Sequence, residues 1–287
     1  MRDTGQSRMT DPGRHRAAVA ALPDDLDALI GVVQGLLVHI HLAEVYGVTV
    51  DDAAEDAVHE RRVEAILDRA LALDPAPLDV PRPAERRVLG NCRQVSVLLT
   101  ALLRAHGQPA RARCGFGAYF LAGSHEDHWV CERWDAEAER WALVDAQLDA
   151  VQREIFGIDF PITDVPRDQF VIAGDAWSSY RAGRIDADRF GLSLMGEGGS
   201  WWIASNLIRD AASLAGIEML PWDAWGGMVG PGAEADDERV AFLDRLAVLT
   251  DDPDAHRDEL DRLAADDWRL QVPDRVYNAL RDDDEPV

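Results

Sequence analysis

The chain has 287 residues, of which 47% are hydrophobic and 29% charged, and its formal net charge is −24. This length supports one large domain or two modest ones, and the acidic balance argues against a nucleic-acid binder, which usually carries a basic face. Three cysteines are too few, and odd in number, for a disulfide framework, and they suit a reducing cytoplasm.

The N-terminal part is predicted to be helical after a flexible tail at residues 1–22. The most apolar window, Ala28–Val45, is interrupted by Gln34, His39 and His41. This pattern favours a buried or amphipathic helix, with both histidines in the core, over a membrane span. No apolar segment of signal-peptide type follows the N-terminus. We therefore expect a soluble, cytoplasmic protein with no membrane partner.

The best-defined predicted helix runs from about Cys92 to His106. Its apolar residues recur at helical spacing, Asn91 is a suitable N-cap, and Gly107 and Pro109 end it. The thiol of Cys92 thus falls in the first turn. A helix N-terminus favours thiolate over thiol, and the thiolate is the nucleophilic form.

Three strands joined by short loops are predicted after this helix, at residues 110–123, 128–135 and 140–149. One helix followed by a run of strands is typical of an α+β domain with an antiparallel sheet, and not of a parallel βαβ array. Neighbouring antiparallel strands lie about 5 Å apart, so adjacent strands can present interacting side chains.

The region beyond residue 165 is predicted to be a mainly helical C-terminal extension, 166–287, packed on a core at 23–165. Four segments in it have helical patterns: 166–183, 200–216 with Ser200 as N-cap, and the acidic stretches 238–249 and 258–268. The tryptophans of this region could line a substrate groove, but core packing is the preferred interpretation; they are Trp201, Trp202, Trp222 and Trp225.

A possible catalytic constellation is formed by Cys92, His128 and Asp145, in that order and at gaps of 36 and 17 residues. Nucleophilic cysteine catalysis needs a thiolate, an imidazole that shuttles the proton, and a polar group that orients the imidazole. His125 is the rival for the base, and Asp149 is the alternative acid.

The other two cysteines, Cys114 and Cys131, are predicted to be structural. Cys131 lies three residues from His128 along a strand and should face the opposite side. A zinc site is disfavoured because no CxxC pair is present, and neither a metal nor a cofactor is expected.

Acyl chemistry also requires an oxyanion hole, for which the backbone N–H of Cys92 is a natural donor. The sequence does not identify a second, side-chain donor, and Gln94 is expected to point away from the site. Glu132 either supports the site from behind or is a solvated strand acid.

At these residues the chain resembles the transglutaminase-like superfamily, which has a papain-like cysteine-protease fold. The resemblance rests on GNCRQVSVLLTALLRAHGQPARARCGF, DHWVCERWD and RWALVDAQLD, over residues 89–149. The matching positions are Cys92, Gly107, Pro109, Ala110, Arg111, His128 and Asp145. The chain departs from many members at Trp129, which directly follows the histidine where a small residue is common. It is also similar to a bacterial subgroup in which a helical extension follows the core.

The resemblance implies a thiol-dependent acyl-transfer enzyme that acts on a peptide or another amide through Cys92, His128 and Asp145. Water as the acceptor gives hydrolysis and an amine gives transamidation; the sequence does not choose between them. A catalytically idle binding or scaffold protein is the alternative. A papain-type peptidase is disfavoured because the C-G-x-C-W signature is missing. The oligomeric state stays open.

Overall fold

The computed structural model describes residues 3–233 and 235–287, and its chain divides into two compact units. The first contains the chain up to Ala112 together with Val130–Val165, and the second contains Arg113–Trp129 together with Pro166–Val287. In this division residues 113–129 group with the C-terminal region, and the domain boundaries expected from the sequence stay a prediction.

The first unit is built mainly of helices, with short strands between them. The helices are α1 Arg16–Ala20, α2 Leu26–Leu36, α3 Asp52–Ala57, α4 Val63–Leu73, α5 Cys92–Ala105 and α6 Ala150–Phe156. The strands are β1 Leu37–His39, β2 Val88–Gly90, β3 Ala110–Gly117, β4 His125–Asp135 and β5 Arg140–Val144, of which β3 and β4 each contribute residues to both units.

Helix α5 forms the centre of the first unit. Helices α1, α2 and α4 pack against it, and its apolar stripe of Val95, Leu98, Leu99, Leu102 and Leu103 is buried. Burying one such side chain contributes about 1.5–3 kcal/mol relative to exposure. The predicted helix is therefore confirmed, including its start at the cysteine.

The apolar window from Ala28 to Val45 is not one helix. Helix α2 ends at Leu36, and the chain extends into β1, which pairs in parallel with β2. A 3-10 helix, Ile40–Tyr46, follows. Strand β2 leads directly into Asn91 and needs a hydrogen-bonding neighbour, which β1 supplies. The prediction that His39 lies in a helix is wrong, because His39 ends β1 opposite Gly90.

The N-terminal segment is ordered, contrary to the prediction of a flexible tail at 1–22. Met9 and Val19 are fully buried, and the backbone N–H of Val63 donates to Met9 at 2.8 Å. Apolar residues in this polar segment pack against the first unit, which fixes it. Residues 1 and 2 lie outside the described part of the chain.

The second half of β4 pairs with β5 in the predicted antiparallel manner. Cys131 lies opposite Val144, and Asp135 lies opposite Arg140. Strand β5 ends at Val144, so Asp145 is the first residue after the strand. The hairpin therefore brings the candidate acid to the end of a buried strand.

The second unit combines a mixed sheet with packed helices. Its further elements are β6 Phe170–Ile172, α7 Ala173–Arg181, β7 Phe190–Leu192, β8 Glu197–Gly198, α8 Ser200–Leu214, β9 Asp223–Ala224, α9 Asp237–Asp251, α10 Arg257–Asp266, β10 Arg275–Asn278 and β11 Asp283–Pro286. The sheet order is β6-β3-β4-β7-β8, and the pairing of β4 with β7 is parallel. The sheet is therefore not purely antiparallel.

Helices α7, α8 and α9 pack against one another in the second unit. Beneath them, Arg113 of β3 donates to both carboxylate oxygens of Asp210 on α8, at 3.0 and 2.9 Å. Both side chains are almost fully buried. Removing one partner of such a pair costs about 3–5 kcal/mol because a charge is left buried alone.

Three further predictions for this unit need correction. The segment read as a helix from Pro166 contains strand β6 before α7 begins at Ala173. The N-cap of α8 is Gly199 and not Ser200. Strands β10 and β11, not the acidic helices, end the described chain. The four predicted helices otherwise exist, and the α+β class is confirmed. Among the described residues, no helix has the length and apolarity that crossing a membrane requires.

Candidate functional site

Cys92 is the first residue of α5, directly after a complete capping box. The Asn91 side chain accepts from the N–H of Gln94, and the Gln94 side chain accepts from the N–H of Asn91, both at 3.0 Å. This reciprocal cap fixes where the helix begins. The N–H of a first helical residue has no acceptor within the helix, so Cys92 retains the backbone donor that an oxyanion hole needs.

The capping box requires a glycine before it. A Cβ at Gly90 would lie 2.8 Å from Oε1 of Gln94, which is too close. The amide nitrogen of Gln94 donates to the carbonyls of Ala57 and Glu60, at 2.9 and 3.0 Å. Gln94 therefore points away from the thiol, as predicted, and is not the side-chain oxyanion donor.

Asp145 is 1% exposed, and hydrogen bonds fix both its backbone and its side chain. Its N–H donates to the carbonyl of Ile162 at 2.8 Å, and its Oδ1 accepts from the N–H of Gln147 at 3.0 Å. A carboxylate that accepts a backbone N–H two residues on closes an Asx turn, which fixes the side-chain direction. The strand-end turn role and the proposed orienting role are compatible at this residue.

The loop from Asp145 to Asp149 is fastened by distant residues of the first unit. Gln34 of α2 donates from Nε2 to the Ala146 carbonyl at 3.1 Å. The hydroxyl of Tyr46 donates to Oδ1 of Asp149 at 2.8 Å. Asp149 also caps α6 by accepting from the N–H of Gln152. Asp149, the alternative acid, thus already has a structural role.

His128 lies in the first half of β4, within the second unit, and is 2% exposed. Aromatic rings meet its imidazole roughly edge to face: Phe120 at 4.8 Å between ring centroids, Tyr119 at 5.9 Å and Phe170 at 6.1 Å. Such arrangements are the preferred ones for aromatic pairs. Ring packing therefore contributes to the orientation of this imidazole.

The rival base, His125, is in a different environment. Its ring stacks on Phe190 at 4.2 Å, with 9° between the ring planes. Burial, and then the nearby Arg189 charge, lower the pKa of His125. These contacts give His125 a packing role at the start of β4.

Cys131 and Cys114 are both completely buried, in agreement with a structural role. Thr100 of α5 donates to the Cys131 sulfur at 3.4 Å. Burial raises the pKa of Cys131 to about 12, so this thiol stays protonated at neutral pH. Cys92, at 6% exposed, is the most accessible of the three.

Glu132 is 1% exposed, which excludes the interpretation as a solvated strand acid. It accepts from Nε of Arg111 at 2.7 Å, and the Arg111 guanidinium lies 3.9 Å from the centre of the Trp141 ring. Two residues of the sequence motifs are thus joined in one buried pair. Their arrangement supports the end of β4 and adjacent β5.

The three predicted catalytic residues divide between the units. Cys92 and Asp145 belong to the first unit and His128 belongs to the second. Their action as a triad stays a prediction. Tyr46, Gln147 and Gln152 hydrogen-bond in or beside the loop that begins at Asp145, and none of them has a role predicted from the sequence. The two Tyr46 bonds span 103 and 106 positions, so no local pattern indicates them.

Among the described residues, no group of three or more His, Cys, Asp or Glu side chains is placed to hold a metal ion.

Comparison with known proteins places the family resemblance in one part of the chain. Residues 49–146, 98 of the 287, match the profile of the transglutaminase-like superfamily. No curated protein matches significantly. One solved structure is similar, a Cytophaga hutchinsonii protein described as a candidate cysteine protease. Its identity is 16% and its TM-score 0.32, and the match covers 60% of this chain and 47% of that one. Because the identity and the TM-score are this low, the match supports no conclusion about this chain.

The matched segment contains Cys92, His128 and Asp145. This segment, which matches the transglutaminase-like profile, holds the helix that begins at a cysteine and the strands that follow it. The resemblance that the sequence motifs indicate is therefore confirmed for residues 49–146. The family is one of cysteine-based enzymes, and this chain retains a cysteine at the start of the helix.

Proposed function

We propose that this protein is a thiol-dependent acyl-transfer enzyme acting on amide or peptide bonds, with Cys92 as nucleophile, His128 as base and Asp145 as the residue that orients it. The observation that carries the proposal is the position of Cys92 as the first residue of α5, behind a complete capping box and inside the transglutaminase-like segment. A sulfur there meets the positive end of the helix dipole.

In the proposed reaction the Cys92 thiolate attacks the carbonyl carbon of an amide. The backbone N–H of Cys92 donates to the oxygen as it becomes negative. The C–N bond then breaks, the imidazolium of His128 gives its proton to the leaving amine, and a thioester remains. An incoming water or amine loses a proton to His128, attacks the thioester and releases the thiolate.

The acceptor in the second half-reaction can be tested with added amines. All 29 basic residues of the chain are arginines, so it offers no lysine as an acceptor for crosslinking to itself. Amine incorporation into a glutamine-containing peptide would therefore report an added amine without a background of self-crosslinking. Release of ammonia without amine incorporation indicates hydrolysis.

Alkylation across a pH series, followed by peptide mapping, tests the nucleophile and its base. We expect Cys92 to be labelled at about pH 6 in preference to the buried Cys114 and Cys131. His128→Ala should abolish the labelling at this pH, and Arg140→Gln, on the exposed start of β5, should leave it unchanged. Equal labelling of all three cysteines with ordinary pH dependence contradicts the proposal.

One observation favours the alternative of an idle binding protein: Cys92, His128 and Asp145 are each at most 6% exposed. A non-catalytic protein would retain the fold with these side chains closed off. Trapping a thioester with an activated acyl ester separates the two functions. A stable acyl adduct on Cys92 that turns over supports the enzyme, and a thiol that reacts only after unfolding supports the idle protein.

A further inference from the structure

A small polar cavity in the first unit lies beside the loop that carries Asp145. Its volume is about 10 Å³, room for a single water-sized molecule. The polar lining residues are Gln34, His39, Tyr46, Gln147, Asp149 and Gln152. Among the described residues that line it, Asp149 contributes a carboxylate, and the charge of Arg87 acts on the neighbouring Tyr46.

Four polar side chains around this cavity form a directional hydrogen-bond chain. The hydroxyl of Tyr46 bonds to Asp149 at 2.8 Å, Gln152 bonds to the Tyr46 oxygen at 3.2 Å, and Gln147 bonds to Gln152 at 3.2 Å. Burial, together with donation to Asp149, raises the pKa of Tyr46, so the phenol keeps its proton. We call these residues the Tyr46–Gln152–Gln147 relay, ending on Asp149.

The direction of this relay follows from its last member. An ionised carboxylate can only accept, so Tyr46 must donate to Asp149. The Tyr46 oxygen then accepts from the amide nitrogen of Gln152. The Gln152 oxygen in turn accepts from the amide nitrogen of Gln147. This assignment fixes the orientation of both amide groups.

The relay leaves one atom without a partner. Oε1 of Gln147 is buried and accepts no hydrogen bond from the described residues. Gln147 as a whole is 7% exposed, and it lines the cavity. Gln34 also lines the cavity, and its Nε2 already donates to the Ala146 carbonyl. A buried acceptor such as Oε1 of Gln147 is normally satisfied by a donor.

We propose that Oε1 of Gln147 anchors a binding site for one compact hydrogen-bond donor, either a water molecule or an ammonium ion, in the cavity that Gln34 and Asp149 also line. Acceptor oxygens select a donor, and the cavity volume limits it to one heavy atom. The negative charge of Asp149 favours a cation over an anion. A connection to turnover rests on the proposed function, in which water is a reactant and an amine leaves.

A crystal structure of the full-length protein in sodium salts, beside that of Gln147→Met, tests whether the site exists. We expect an ordered molecule about 2.7–3.2 Å from Oε1 of Gln147 in the wild type and none at this place in the variant. No density there, or a protein donor that fills the same position, overturns the proposal. Neither result requires turnover, so the binding site can be confirmed even if the protein has no enzymatic activity.

A titration with ammonium chloride identifies the occupant. Sodium and tetramethylammonium chloride at matched ionic strength are the comparisons, because tetramethylammonium exceeds the cavity. An ammonium site predicts a saturable rise in Tm of about 2–4 °C at roughly five times Kd, abolished by Gln147→Met. Equal responses to the three salts, with the crystallographic molecule present, assign the site to water. Gln271→Met, at an exposed glutamine of the second unit, is the matched control and should respond as the wild type.

Discussion

The surroundings of the candidate acid and the candidate base differ in kind. Asp145 follows a strand in a loop that hydrogen bonds from Gln34 and Tyr46 fasten, across 112 and 103 positions of sequence. His128 is contacted by the rings of Tyr119, Phe120 and Phe170. Hydrogen bonds fix direction, whereas ring packing fixes shape and excludes water. The two residues should therefore respond to different kinds of substitution.

The largest expected effect is on turnover, when the acid loses its charge but keeps its shape. Asp145→Asn should lower kcat by about 10⁴-fold, because an amide no longer stabilises the imidazolium. The measurement is kcat on an amide or activated ester substrate, with circular dichroism to verify folding. Asp135→Asn, at an acid on the same hairpin, should change kcat little, and equal losses in both variants would contradict the assigned role.

The ring contacts of the base should show mainly as stability. Phe170 is fully buried on β6, so Phe170→Ala should lower the free energy of unfolding by about 3–5 kcal/mol. Urea unfolding measures this loss. Leu121→Ala, at a side chain that is 49% exposed, is the control and should change stability by about 0.5 kcal/mol or less. A small effect of Phe170→Ala would show that the rings do not pack around His128 as described.

Removing one hydrogen-bonding group of the relay should lower the free energy of unfolding less than Phe170→Ala does. Tyr46→Phe deletes a hydroxyl that both donates to Asp149 and accepts from Gln152, which predicts a loss of about 1–2 kcal/mol. The matched control is Tyr277→Phe, whose hydroxyl donates to exposed Asp282 and should matter little. Urea unfolding measures the free energy of unfolding of both variants. Similar losses in the two would show that the relay does not stabilise the protein.

The effect expected to be smallest at neutral pH, and to appear only in alkaline solution, concerns Cys131, the thiol of β4 that lies in the first unit. The folded pKa of Cys131 is raised to about 12 from 9.0, so its contribution to stability is complete below pH 9 and is lost as the pH rises toward 12. Unfolding free energy should therefore fall less steeply above pH 9 in Cys131→Ala than in the wild type. Identical pH slopes would mean that Cys131 is not held protonated.

Local patterns predict part of this architecture well. The cap, start and apolar stripe of α5 depend on neighbours in sequence, and so does the β4–β5 hairpin. The three-residue strands β1 and β6 are missed because runs this short also fit a helix, and pairing decides between the two. The C-terminal hairpin is missed because its acidic residues suggest a solvated segment.

For the candidate site, the sequence suggests only the reacting groups. Residue type and order point to Cys92, His128 and Asp145, since the chemistry limits the choice, and their joint action stays a prediction. Neither the relay nor the bond from Gln34 could be inferred, because Tyr46 and Asp149 are 103 positions apart and Gln34 and Ala146 are 112 apart. Nothing in either local sequence marks such partners.

The relay on Asp149 has a consequence for selectivity. The charge at one end of the relay determines which groups donate and which accept along it. Asp149→Asn keeps an amide oxygen that can accept from both the Tyr46 hydroxyl and the N–H of Gln152, the two bonds that Oδ1 makes now. The direction of the relay should therefore persist, whereas the negative charge that favours a cation in the neighbouring cavity is lost. This one substitution would thus separate the recognition of a donor from the preference for a charged one.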